Sequence, residues 1–491
     1  MSSILTNNGA MVALQTLNSI NKDLGNVQNA ISTGKEVGNA KDNSAVWAIS
    51  KVMESDVKGF KSISDSLALG ESTVAVARQA SETVADLMTE MKGKIVNAQE
   101  SNVDRGKIQA DITALTDQIA SVIGAAQFNG LNLVSGSETV EVLSSLDRSS
   151  DGAVASSSIS VNRQDLTMDA GVYNASGTDL SGNVTASDTA VVNTGITETL
   201  QLATSVAAND VLRLQIGDTS VAYTSADTDL NNAAAGLSAA INAAGIEGIT
   251  ATVATDTITL TSTVAFEDTD LTFTSTGATT GAYGTDAALE ARAETVTFSG
   301  TAGVNEGDGY RVSIGSTDFD YVAGQGETME DVAKGLKIAI DGAGLSDIST
   351  NVTQDANGAW QLQVDNAGAS LAFAATGRSD GEATGGLAGL GDIDVTTDEG
   401  AAAALANIET FIDTAIDASA AFGSVEGRIS IQSEFIGKLS DSLKSGIGSM
   451  VDANMEETSA RLQALQVQQQ LGVQSLSMAN QAPQSILSLF R

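Results

Sequence analysis

The side chains best suited to chemistry are carboxylates, and they cluster in short runs. The stretch "GDIDVTTDEG" (Gly391–Gly400) carries Asp392, Asp394, Asp398 and Glu399, and "FEDTDLTF" carries Glu267, Asp268 and Asp270. Alternating carboxylates are the raw material of calcium loops. Neither stretch has the complete loop pattern with its terminal bidentate glutamate, so solvated acidic loops are the expectation. Paired carboxylates can also hydrolyse glycosides, which leaves open only an inserted catalytic module. Histidine and cysteine are both absent from the 491 residues. That removes imidazole and thiolate metal sites, together with Ser-His-Asp and Cys-His catalysis. The GxxxxGK and GxGxxG patterns are missing as well. No catalytic, metal or cofactor-binding residue is assigned, and no cofactor is expected.

The net charge is −37, and residues 171–400 alone hold 32 acidic and 6 basic side chains. This balance argues against nucleic acid or an anionic membrane as partner, since both attract clustered Lys and Arg. The first twenty residues lack the basic region and continuous apolar core of a signal peptide, and no apolar run of about 18 residues exists for a membrane span. Any export is expected to use another route.

The rest of the chain reads as a frame for that acidic middle. Ala13, Leu17, Ile20, Leu24, Val27 and Ile31 alternate by four and three, the spacing of a coiled-coil seam. "STGKEVGNAKDNSA" (Ser32–Ala45) interrupts it. A longer seam then runs through Met53, Phe60, Ile63, Leu67, Gly70, Val74, Ala77, Ser81, Val84, Met88, Met91, Ile95 and Ala98. One helix over that stretch would span about 69 Å. After a turn at Asn102–Gly106, Ile108, Ile112, Leu115, Ile119, Val122 and Ala126 form a third seam, closed by the turn residues of "FNGLNLVSG". The period then drops to two. "TVEVLSSL" and "SISVNRQDLTM" read as two strands around a Gly/Ser/Asp turn.

Inside the acidic middle lies a repeat. "DVLRLQIGDTSVAYTS" from Asp210 matches "DGYRVSIGSTDFDYVA" from Asp308, and "NAAAGLSAAINAAG" matches "DVAKGLKIAIDGAG". Each copy is expected to fold strand–strand–helix–strand–strand. The helical period returns at Leu405, Ile408, Ile412, Ala415, Ser419, Phe422, Ile429 and Ile436, and continues through Val451, Leu462, Leu465, Gln469, Gly472, Leu476 and Ala479 toward Ile486 and Leu487. From Leu465 to the end the only charge is Arg491.

The pattern predicts an α+β multidomain chain: long coiled-coil helices from paired N- and C-termini, with β-rich α+β domains inserted between them. Residues 1–45 with 451–491 form one helical domain, and 46–170 with 401–450 form a helical bundle plus hairpin. Residues 171–400 form the outer region, with repeats at about 196–275 and 294–375. Phe60, Ile63, Leu67, Val74, Val84, Met88, Ile108, Ile112, Leu115, Ile119, Ile412, Phe422, Ile429 and Ile436 are expected to pack within the chain. The last helix also has a second stripe through Ala460, Ala464, Val467, Leu471, Met478 and Ala482. Two thin helices cannot bury broad apolar faces in one two-stranded pairing, so copies of the chain are the expected partner of this second stripe. The interface set is Leu17, Ile20, Leu24, Val27, Ile31, Leu462, Leu465, Leu471, Gly472, Leu476, Ala479, Ile486 and Leu487.

Both ends resemble bacterial flagellin. The resemblance rests on "AKDNSAVWAIS" (Ala40–Ser50), "IQADITAL" (Ile108–Leu115), "AAQFNGLNLV" (Ala125–Val134) and "RLQALQVQQQLGVQSLSMANQAPQSILSLFR", in that order at the two ends of one chain. It covers about half the sequence. It implies a subunit of the extracellular flagellar filament that is exported unfolded through the flagellar type III system. It also implies an export chaperone on the C-terminal helix, and hook-associated and cap proteins as neighbours. A hook-associated junction protein shares the terminal seams and is the alternative, as is an outer-domain adhesin or enzyme. Some members are sensed by a mammalian innate receptor; the aligned segment here, Leu87–Glu100, lacks their arginine pair.

Overall fold

A computed structural model describes residues 7–148, 153–285 and 287–489, with residues 148 and 482–489 as backbone only. Its seven α-helices among the described residues are α1 Asn8–Thr33, α2 Ser44–Ala98, α3 Arg105–Ala125, α4 Leu230–Ala244, α5 Met329–Gly342, α6 Asp398–Val451 and α7 Met455–Leu489. The chain divides into two compact units, Met1–Ser72 with Glu141–Val161 and Ser424–Arg491, and Thr73–Val140 with Asn162–Gly423.

In the first unit α1 starts where the Asn7 side chain accepts from the Ala10 N–H at 3.0 Å, and it stops at Gly34, whose φ of 71° suits a residue without Cβ. The expected break follows. Its backbone does not wander: the Glu36 and Val37 N–H groups donate to the Val451 carbonyl at 2.7 and 3.3 Å, and the Ala453 N–H donates to the Gly34 carbonyl at 2.9 Å. The N-terminal and C-terminal strands of the frame therefore break at the same level and satisfy each other's orphaned end groups. Phe60, Ile63 and Leu67 of α2 and Ile429 and Ile436 of α6 are buried.

Strands Thr139–Arg148 and Val154–Asn162 form a hairpin against this face of α2. A Cβ on Gly70 would stand 2.6 Å from Val142, and one on Gly59 would stand 2.7 Å from Leu146. The glycine that weakens the seam in sequence is the place where the hairpin docks. The second strand begins at Val154 and ends at Asn162, so residues 163–168 of the expected strand are not part of it. Past that point the Gln164 and Leu166 N–H groups donate to the carbonyls of Leu133 and Val134, which diverts the chain from the ladder.

In the second unit the helical part holds the remainder of α2, α3 and the first half of α6. Asp104 caps α3 by accepting from the Lys107 N–H. Val74, Val84, Met88, Met91, Ile95, Ile112, Ile119 and Phe422 are buried, while Ile108 and Leu115 are half-buried. On α6 Phe411 is fully buried like Phe422, and Ile412 sits on the flank. A strict 3–4 step from Leu405 lands on Ile412. The stripe observed runs Ala404, Ile408, Phe411, Ala415, Ala418, Phe422, one residue out of phase over that turn.

Each repeat copy folds strand–strand–helix–strand–strand. The first uses Val211–Ile216, Thr219–Thr224, α4, Ile249–Ala254 and Thr257–Ser262; the second uses Gly309–Ile314, Thr317–Val322, α5, Ile348–Gln354 and Trp360–Asn366. Matched positions are buried alike: Leu212, Leu214 and Ile216 in one, Tyr310, Val312 and Ile314 in the other. Ile196–Ala203 and Thr269–Ser275 flank the first copy, and Glu294–Phe298 and Leu371–Arg378 flank the second. Each set of six strands becomes two four-stranded sheets by adding two further short strands, and the copies take them from opposite directions. The first takes Thr280–Tyr283 and Ala288–Leu289 from downstream, whereas the second takes Val184–Ala186 and Ala190–Val191 from upstream. The first module is thus inserted within the second. Residues 184–191, outside both expected repeats, complete the second core.

The helices share one device. A Cβ on Gly236 of α4 would lie 2.0 Å from the Tyr223 ring, and one on Gly335 of α5 would lie 2.2 Å from the Tyr321 ring. Each glycine leaves room for a tyrosine of the preceding strand. Gly335→Ala should destabilise the second module by about 1–3 kcal/mol through overpacking, despite the helix propensity gained, and shift its urea midpoint down. Gly93→Ala is the contrast. Its Cβ meets nothing within 4 Å, so the helix should gain about 0.5–1 kcal/mol.

Candidate functional site

Among the described residues no group of three or more Asp or Glu is placed to hold a metal. The carboxylates of Gly391–Gly400 are used locally: Asp394 accepts from the Thr396 N–H at 2.7 Å, and Asp398 pairs with Arg105. One GxSxG string occurs, "GRSDG" at Gly377–Gly381. It is not a nucleophile elbow between strand and helix. Ser379 accepts from the Thr178 N–H and donates to Asp380.

One half-buried acid stands out. Glu327 accepts from the Tyr321 hydroxyl and the Gly324 N–H, both at 2.9 Å, beside a cavity of about 200 Å³ that Asp165 and Asp331 also line. Burial pushes its carboxyl above the usual range, and the Asp331 and Asp165 charges add to that. A carboxyl whose folded value is raised binds its proton more tightly in the folded state. Its stabilising contribution is complete below the unfolded value and is lost as pH rises through the folded one. Glu327→Gln should flatten that part of the pH–stability curve, read by urea denaturation from pH 4 upward.

The surface that dominates the chain is the pair α1 and α7. The Asn7 side-chain amide donates to the Ala479 carbonyl at 2.8 Å, the Gln469 amide donates to Asn21 at 2.7 Å, and the backbones of Lys35 and Asp452 pair as an isolated antiparallel β-bridge. Partners move down one helix as they move up the other, so the two run antiparallel. Leu17, Ile20, Leu24, Ile31, Leu462, Gly472, Leu476 and Ala479 are half-buried, and Val27 and Leu465 are buried. A Cβ on Gly472 would meet Leu17 at 3.2 Å and Ile20 at 3.9 Å. The seam expected between copies is therefore occupied within one chain, and Gly472 permits an intramolecular approach. Ile486 and Leu487 lie outside the residues whose side chains are described.

The other faces of both helices stay bare. Met11 is 57% exposed and Val12 63%; on α7 Val467 and Leu471 are each 56% exposed and Met478 65%. Ala460 and Ala464 of the second stripe are exposed with them. The stripe containing Leu471 thus remains open within the subunit, and Met11, Val12 and Leu14 of α1 add to it. Those three fall off the 3–4 seam, and only their apolar character in an otherwise polar flank marks them. Gly472→Leu should force α1 from α7, seen as faster amide exchange along residues 8–33 with the repeat modules unchanged.

Residues 4–139 match the bacterial flagellin N-terminal helical region, and residues 405–490 match the bacterial flagellin C-terminal helical region. Over its whole length the chain is 33% identical to Flagellin A of Rhizobium meliloti and 31% identical to Flagellin B of the same organism, covering 100% of each relative. Flagellar hook associated protein-3 of Legionella pneumophila is 10% identical with a TM-score of 0.33, covering 82% of this chain and 98% of that one, too distant to weigh on function.

Proposed function

The chain belongs to the bacterial flagellin family, and from that membership we propose how its terminal helices build a filament. As a flagellin it is a structural subunit of the extracellular flagellar filament that drives swimming, in a family whose members assemble with copies of themselves. The reading proposed for this chain divides the labour between helix faces. The seam of Leu17, Ile20, Leu24, Val27 and Ile31 against Leu462, Leu465, Gly472, Leu476 and Ala479 joins α1 to α7 as a coiled coil inside the subunit. The opposite faces, Met11, Val12 and Leu14 with Val467, Leu471, Val473 and Met478, meet neighbouring subunits.

The observation that carries this is the bare apolar face on both helices. Fully burying one such side chain contributes about 1.5–3 kcal/mol. Contacts that repeat head to tail without closing generate a helical polymer. The domain layout that suits it puts 1–45 with 451–491 at the filament core, 46–170 with 401–450 around it, and 171–400 outermost, where the acidic excess keeps neighbouring filaments apart in solution. The same bare face of α7 is the natural seat for an export chaperone before assembly, and hook-associated and cap proteins would meet it at the filament ends. No catalytic role is assigned.

Replacing Val467, Leu471 and Met478 together with serine should abolish filaments in a sedimentation assay while the subunit's circular dichroism and modular unfolding stay as in the parent. Removal of Leu476–Arg491 should also abolish assembly with the outer modules folded. Normal filaments from either protein would refute the reading.

A further inference from the structure

A buried cluster joins the second module to the helical stem. Lys337 of α5 donates from Nζ to Asn407 Oδ1 at 2.6 Å and pairs with Asp341 Oδ2 at 2.7 Å. The Asn407 side-chain amide donates to the same Asp341 oxygen at 3.1 Å, and Thr350 donates to the other Asp341 oxygen at 2.5 Å. The Lys337 and Asp341 side chains are 13% and 8% exposed, and Asn407 is 6% exposed. Asn407 interrupts the apolar stripe of α6 between Ala404 and Phe411, which are buried beside it. An amine, a carboxamide and a carboxylate touching both are thus held together away from water.

The repeat supplies an internal comparison. Ser238, Asn242 and Ala251 of the first module align with Lys337, Asp341 and Thr350 of the second. There Ser238 and Asn242 merely satisfy the backbone of Ala251, at 2.7–3.1 Å. The same helix face that closes on its own strand in one copy reaches out to α6 in the other, and it does so with a nucleophile and its base.

We propose that Lys337 and Asn407 form an intramolecular isopeptide bond, with Asp341 as the catalytic carboxylate, once α5 has docked on α6. Lys337 passes one proton to Asp341, and its Nζ lone pair attacks Cγ of Asn407, one bond beyond the oxygen it already contacts. Holding the two groups in contact replaces a bimolecular encounter with a positioned one. The carbonyl π pair moves onto Oδ1 and returns as the Cγ–Nδ2 bond breaks. The departing nitrogen takes one proton from the attacking nitrogen and one from Asp341, and leaves as ammonium. One C–N bond forms, one breaks, Asp341 is regenerated, and no oxidant or reductant is consumed. The site lies at the edge of a cavity of about 1180 Å³ that Lys337, Asp341 and Asn407 line, which provides an exit. The product is a covalent tie between an outer module and the stem, made after folding and therefore compatible with export of a linear chain.

The test is mass spectrometry of the folded full-length protein. A wild-type mass lower by one ammonia than that of Asn407→Ala, after correction for the substitution, is expected. Protease digestion should release a branched peptide joining the segments that carry Lys337 and Asn407. Lys337→Met and Asp341→Ala should each yield linear peptides only. Linear peptides at full recovery from wild-type protein would overturn the proposal, a result that needs no variant to fold, and a branched peptide from Asp341→Ala at the wild-type level would overturn the role given to Asp341.

Discussion

Everything in this chain follows from helices that carry more apolar surface than one pairing can cover. On α1 and α7 the 3–4 seam is consumed by the antiparallel partner, down to the close approach at Gly472. What remains, from Met11 and Val12 to Val467, Leu471 and Met478, faces water. An ordinary folded chain would bend to cover it. Two extended helices with a shared break at Gly34–Val37 and Val451–Ala453 cannot, because the break is itself bonded across and fixes both helices at that level. The unsatisfied surface is then a property of the subunit, and association is the way to remove it.

Farther along the chain, the same economy is solved inside the molecule. The hairpin docks on α2 where Gly59 and Gly70 open space, and the tyrosines of the two modules fill the space left by Gly236 and Gly335. Each close approach converts the absence of a side chain on a helix into packing for a neighbour, which is why these positions would not tolerate a Cβ. The nested modules extend the principle. Strands drawn from upstream and downstream complete two similar cores, so the middle region is stitched rather than strung. A bidentate Arg292–Asp365 pair, with side chains 11% and 5% exposed, adds a tie, since Arg292 also donates its backbone N–H to Val264 of the first module. A buried pair of this kind favours one geometry more than it adds stability.

Sequence periodicity located the helices well because a seam is a one-dimensional signal. The positions of α2 from Phe60 to Ala98 that repeat by three and four are the ones the fold buries. It served α6 less well near Phe411, where an alanine-rich stretch allows two phases and only the neighbouring helix selects one. It read the repeat's order correctly, since alternation and a glycine-bounded helix are local. It could not see that residues 184–191 complete the second module, because strands of two and three residues carry no period.

By itself the sequence determined that long amphipathic helices flank an acidic β-rich middle with two like modules, and that a stripe at the C-terminal end lacks a partner. Those are consequences of residue spacing along one chain. The tertiary structure decided which face each helix gives to its own chain, which residues stay bare, how the modules interlock, and that Lys337, Asp341 and Asn407 meet. These depend on three-dimensional proximity between segments far apart in sequence, for which spacing holds no record.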